Sequence, residues 1–119
     1  MAIGRALKPL REDGILILGS GYTFHNMQAF FNPSDATYTA SIQFNDWLSQ
    51  VLIDENDMSK LADWEGAPGA RICHPREEHL LPLFVLAGAT DMEQERAQLI
   101  FDTRSEPSNH AVTGYLFSS

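Results

Sequence analysis

The sequence predicts an α/β domain, and three observations carry that reading. A short apolar run, Ile15 to Leu18, is rich in strand-forming residues and bounded by Gly14 and by Gly19 to Gly21. Stretches with helix-spaced apolar residues lie on both sides of it. Two alternating, β-rich stretches close the chain. At 119 residues the expectation is one domain, spanning 1–119.

The elements follow in order. Ile3, Ala6, Leu7 and Leu10 fall on one helical face and predict a helix over Ala2 to Arg11. Pro9 sits late in it, so the helix is short or kinked. The run Ile15 to Leu18 is apolar on both faces, which predicts a strand inside a sheet covered on both sides. Strands that end in small residues are where α/β proteins place their sites. After "YTFHN" the pattern turns helical, and "NPSD" at Asn32 to Asp35 reads as a turn with Ser34 or Asp35 as a helix cap. Phe44, Trp47, Leu48, Val51 and Leu52 then define a strongly amphipathic helix over Ala36 to Asp54.

Asn56 or Asp57 caps a short helix through Trp64, and "EGAPGA" is a loop. Arg71 to Cys73 reads as a brief extended piece. The run from Glu77 to Ala87 is helical. Pro82 fits only a first turn, so that helix starts near Glu78 or His79, and Gly88 ends it. Gln98 to Thr103 and Ala111 to Phe117 predict an antiparallel hairpin across the turn-rich "SEPSN".

Composition excludes several classes. Eight Lys and Arg against sixteen Asp and Glu give a net charge of −8, which argues against nucleic acid as a partner. The longest apolar run, Leu80 to Ala89, contains Pro82 and is about half the roughly 20 residues of a membrane helix. The N-terminus has no secretory signal pattern, and the single cysteine, Cys73, cannot form an intramolecular disulfide. A cytoplasmic protein is expected.

Histidines carry the chemistry. His25 lies between a strand and a helix, where a ligand can reach it, and an imidazole with an ordinary pKa of roughly 6.5 suits proton transfer. The same position suits a helix-capping residue. His74 and His79 are five apart, so they do not share a helical face and are not the His-Glu-x-x-His zinc motif. They converge only if His74 lies in the loop, which Pro75 favours, and His79 opens the helix. Alternatively the cluster is a polar helix start whose Glu77 and Glu78 complement the helix dipole. His110 is expected to be a solvent-exposed turn residue, and the adjacent Ser108 does not make a triad with it. "GSG" lacks the dinucleotide-binding spacing, and Asp54, Glu55 and Asp57 form a solvated run.

Taken together, "GILILGSGYTFHN", "HPREEHLLPLFVLAGA" about fifty residues later, and the ending "HAVTGYLF" resemble the C-terminal part of the class III extradiol ring-cleavage dioxygenases, 4,5-DOPA dioxygenase type. The resemblance implies a central mixed sheet flanked by helices. It implies opening of a catechol, such as DOPA or protocatechuate, with non-haem Fe(II), a site that Zn(II) can also occupy. It implies His25 as the acid/base, His79 as a metal ligand and His74 as a residue lining the site and touching substrate.

In that family two further histidine ligands come from an N-terminal half that has no counterpart here. The chain is therefore expected to be a half-length relative, with its site completed by an oligomer or by a separate N-terminal-half subunit. One ligand cannot complete a facial site. The apolar faces left open predict a homo-dimer or larger. The other readings are a catalytically inactive binding or regulatory module that keeps the pocket, and a purely structural oligomer.

Overall fold

The computed structural model describes residues 1–107 and 109–119, and within them the chain is mixed α/β. Five helices are labelled in chain order: α1 (Ala2–Glu12), α2 (Met27–Phe31), α3 (Asp35–Ser49), α4 (Ala70–Cys73) and α5 (Leu81–Ala89). Two strands, β1 (Arg96–Asp102) and β2 (Thr113–Ser118), form an antiparallel pair in which Leu99 faces Tyr115. The ladder slips between Leu99 and Phe101, a bulge at Ile100. The expected hairpin is present, shifted by about two residues at each strand's start. Ser108, between the two in sequence, lies outside the described residues.

α3 begins with a capping box. The Ser34 hydroxyl accepts from the Thr37 N–H at 3.2 Å, and Thr37 returns a bond to the Ser34 N–H. The expected helix to Asp54 is α-helical only to Ser49, and Gln50–Asp54 continue it as one π-helical turn. Asp57 caps a 3-10 helix at Met58–Gly66, accepting from the Ser59 N–H. Together these segments bury Phe44, Leu48, Leu52, Met58 and Leu61 almost completely. Each such side chain contributes about 1.5–3 kcal/mol relative to exposure.

Three local expectations are corrected. Arg71 to Cys73 is not extended: it lies in α4, which the left-handed Gly69 (φ 72°) opens directly against the Ala40 carbonyl. α5 starts at Leu81, with Pro82 in its first turn, so His79 precedes the helix instead of opening it. Gly88 does not end α5. It sits within the helix, where a Cβ would lie 2.3 Å from the Met1 carbonyl oxygen, so the close approach of α1 requires glycine. Gly4 makes the reciprocal approach, 2.0 Å from the Val85 carbonyl oxygen to its hypothetical Cβ, so α1 and α5 pack backbone to backbone.

The run Ile15–Leu18 is extended but is no strand. No hydrogen bond joins the backbone of Leu16–Gly21 to another described residue, apart from a Tyr22 bond just beyond it. Leu16 and Leu18 are 80% and 84% exposed, while Ile17 and Gly19 turn inward and Gly19 packs on Leu86 of α5. The alternation is that of a strand with one face covered and both edges bare. Among the described residues the sheet is the β1–β2 pair, and no helix is long and apolar enough to cross a membrane.

Candidate functional site

Two loop segments meet in front of α5. The Tyr22 N–H donates to the His79 carbonyl at 2.9 Å, and the His25 N–H donates to the Cys73 carbonyl at 2.8 Å. Asn26 fastens the junction twice. Its Nδ2 donates to the Ile72 carbonyl at 2.7 Å, and its Oδ1 accepts from the Ala29 N–H to cap α2. A buried polar network holds the segment from the other side. Thr113 of β2 donates its N–H to the Thr23 hydroxyl (2.9 Å) and its own hydroxyl to Asn45 Oδ1 (2.6 Å). Asn45 in turn donates to the Ala111 and Ser41 carbonyls. Thr23 is thus fixed two residues before His25 by groups with no freedom to leave.

These constraints bring His25 and His79 together. Their rings stack with centroids 3.4 Å apart and planes 12° from parallel. His25 is half-buried and His79 is exposed beside a cleft lined by Tyr22, Thr23, Pro82, Leu83, Thr113 and Tyr115. His79 lines that cleft, where its imidazole can meet an entering ligand, and His25 stacks on it.

His74 lies behind them and is fully buried. Its ring meets Phe44 and Trp64 edge-on, at centroid distances of 5.3 and 6.1 Å. Neither ring nitrogen has a hydrogen-bond partner among the described residues. Burial pushes its pKa down to about 4. The nearby Thr23 backbone opposes that shift without making a hydrogen bond of normal geometry, and His25 and His79 add to it. His74 is thus a neutral, sealed ring at neutral pH. The structure places His74, expected to line the site and touch substrate, behind the pair with its ring buried.

Cys73 is also buried, and burial alone raises its thiol to about 12, so it is no nucleophile. His110 is not the free turn residue that its setting suggested. It is half-buried, stacks on Phe24 and lies 2.9 Å from the Thr37 hydroxyl.

The donor set is incomplete for a metal. Among the described residues no group of three or more His, Cys, Asp or Glu side chains converges in a metal-holding arrangement. Two stacked imidazoles fall short of the three protein ligands that a facial site needs. The residue that sequence reasoning undervalued is Asn26, whose side chain caps α2 just after His25 and ties it to the Ile72 carbonyl. The signal was present, since Asn directly before a helical pattern is a strong cap.

Comparisons with known proteins point to one family. A family model described as the catalytic LigB subunit of aromatic ring-opening dioxygenase matches residues 1–113. The chain is 38% identical over 119 residues to a 4,5-DOPA dioxygenase extradiol of Mirabilis jalapa, covering 95% of this chain and 41% of that protein. It is 37% identical over 108 residues to the dioxygenase tasH of Hapsidospora irregularis, covering 80% of this chain and 33% of that one. A solved structure of an uncharacterized Escherichia coli protein superposes with a TM-score of 0.71 at 27% identity, covering 85% of this chain and 42% of the other. The chain spans about two fifths or less of the length of these relatives.

Proposed function

The chain belongs to the family of the catalytic LigB subunit of aromatic ring-opening dioxygenases, and on that premise we propose that it supplies one part of an extradiol ring-opening site. The observation that carries this reading is the His25–His79 ring contact at 3.4 Å, built by the two segments that resemble the family. Its relatives include proteins named 4,5-DOPA dioxygenase extradiol, which supports a catechol such as DOPA or protocatechuate as substrate.

His25 is the group that accepts a hydroxyl proton from the catechol and returns one during ring opening. It suits the task because it is half-buried and its backbone is pinned to Cys73. His79 is exposed at the cleft and contributes one ligand to the Fe(II) or Zn(II) that the family implies. The other donors come from residues outside this chain, carried by a further copy or a separate polypeptide. His74 lines the back of the site, its ring packed against Phe44 and Trp64.

That same incompleteness favours a second reading when no outside donors are supplied, namely a catalytically inactive binding or regulatory module that keeps the pocket. The test is ring opening by the purified chain alone, with ferrous ion and L-DOPA or protocatechuate. The expected outcome is no product above background. Steady product formation that disappears in His79→Ala would show that the chain completes its own site.

A further inference from the structure

A second cleft lies between the start of α3 and the turn joining β1 to β2, and its walls are rings. Phe24, Tyr38 and His110 form its inner part. Tyr22 and Phe30, 61% and 63% exposed, stand at its mouth. Of these residues only Tyr22 also borders the cleft beside His79.

The inner rings are fixed in place. His110 stacks on Phe24 with centroids 4.2 Å apart and planes 9° from parallel. Its Nε2 lies 2.9 Å from the Thr37 hydroxyl, whose own proton goes to the Ser34 carbonyl at 3.0 Å. The contact ties the His110 ring to the start of α3. Burial holds the His110 pKa below its ordinary value, so the ring brings no positive charge to the cleft at neutral pH.

Two carboxylates complete the lining, Asp35 in the first turn of α3 and Glu106 in the turn after β1. Neither side chain is ion-paired with another described residue. No lysine or arginine stands among the described residues that line the cleft. The nearby Arg104 guanidinium is occupied by Asp102 and Asp46. Aromatic faces and unpaired carboxylates both attract positive charge, and rings add affinity for cations too greasy to prefer water. The chain's net charge of −8 works in the same direction.

We propose that this cleft binds a small organic ammonium cation, held between the Tyr22, Phe30 and Tyr38 rings and the carboxylates of Asp35 and Glu106. The site goes beyond the ring-opening reading and does not rest on it.

The test uses choline as the probe and 3,3-dimethylbutan-1-ol as a neutral molecule of the same shape. Each is titrated into the full chain while the ring signals of Phe24, His110 and His79 are followed by NMR. Choline is expected to shift Phe24 and His110 saturably and to leave His79 unmoved. The neutral analogue is expected to bind about tenfold more weakly or worse. In the Asp35→Asn/Glu106→Gln double variant, choline affinity falls by about tenfold while the circular dichroism spectrum is unchanged. The proposal is overturned if choline shifts neither ring, if the analogue binds equally well, or if the double variant binds choline as the parent does.

Discussion

Gly21 and His79 touch through their backbones: a Cβ on Gly21 would sit 2.3 Å from the His79 carbonyl oxygen, and that oxygen already accepts the Tyr22 N–H. The close approach is what lays the segment carrying His25 over the turn carrying His79. Any side chain at position 21 must push the two apart.

Gly21→Ala is therefore expected to destabilise the chain by about 1–3 kcal/mol, the usual range for forcing an extra carbon into a packed contact. It is also expected to separate the stacked rings. Urea unfolding gives the first quantity, and loss of the mutual ring-current shifts of His25 and His79 in NMR gives the second. A variant of unchanged stability with intact ring-current shifts would contradict this account of the junction.

The α1–α5 crossing gives a matched pair of substitutions. Gly4→Ala places a carbon 2.0 Å from the Val85 carbonyl oxygen and must shift one helix. A loss of about 1–3 kcal/mol is expected. At Gly66 a Cβ meets nothing within 4 Å, so Gly66→Ala is expected to be neutral or slightly stabilising through the unfolded state. Equal effects at both positions, measured by thermal or urea unfolding, would argue against the close helix crossing.

Buried, unpartnered His74 sets a pH dependence. Its pKa is depressed from 6.5 to about 4 on folding, so the unfolded state takes up a proton first. Stability is then fully present above pH 6.5 and declines as the pH falls from there toward about 4. The decline is on the order of 3 kcal/mol at most. His74→Leu removes both the proton and two orphaned nitrogens. It should flatten this part of the profile without lowering stability at pH 7. Urea midpoints across the window decide it, and a His74→Leu profile as steep as the parent's would count against the sealed neutral ring.

The bare edges of Ile15–Leu18 predict association. Leu16 and Leu18 are exposed, and the backbone groups of Leu16–Leu18 make no hydrogen bond to another described residue. We expect a dimer or larger species at micromolar concentration by sedimentation, lost in Leu16→Lys/Leu18→Lys. A monomer that is stable on dilution would contradict this.

Much of this was legible in the sequence, for identifiable reasons. The helix around Phe44 and Leu48 and the hairpin around Leu99 and Tyr115 follow from periodicity, because a buried face forces apolar residues into register with the backbone repeat. The convergence of the segments carrying His25 and His79 followed from family resemblance, not from spacing. What escaped depends on neighbours distant in the chain. Apolarity on both faces of Ile15–Leu18 says that the run wants cover, but not whether strands are there to pair with it. Gly88 reads as a helix stop until Met1 is seen against it. Arg71 to Cys73 turns helical because Gly69 redirects the chain past Ala40. No local pattern could show that Phe44 and Trp64 close over His74, or that Phe24 and Thr37 hold His110.

The central claim is that His25 and His79 form one part of a ring-opening site completed by donors outside this chain. The most direct measurement mixes the chain with a polypeptide covering the portion of the solved relative that this chain does not span, then follows ring-opened product from L-DOPA with ferrous ion. The account predicts product from the mixture, none from either component alone, and loss of product in both His25→Ala and His79→Ala. A mixture in which His79→Ala works as well as the parent would contradict it.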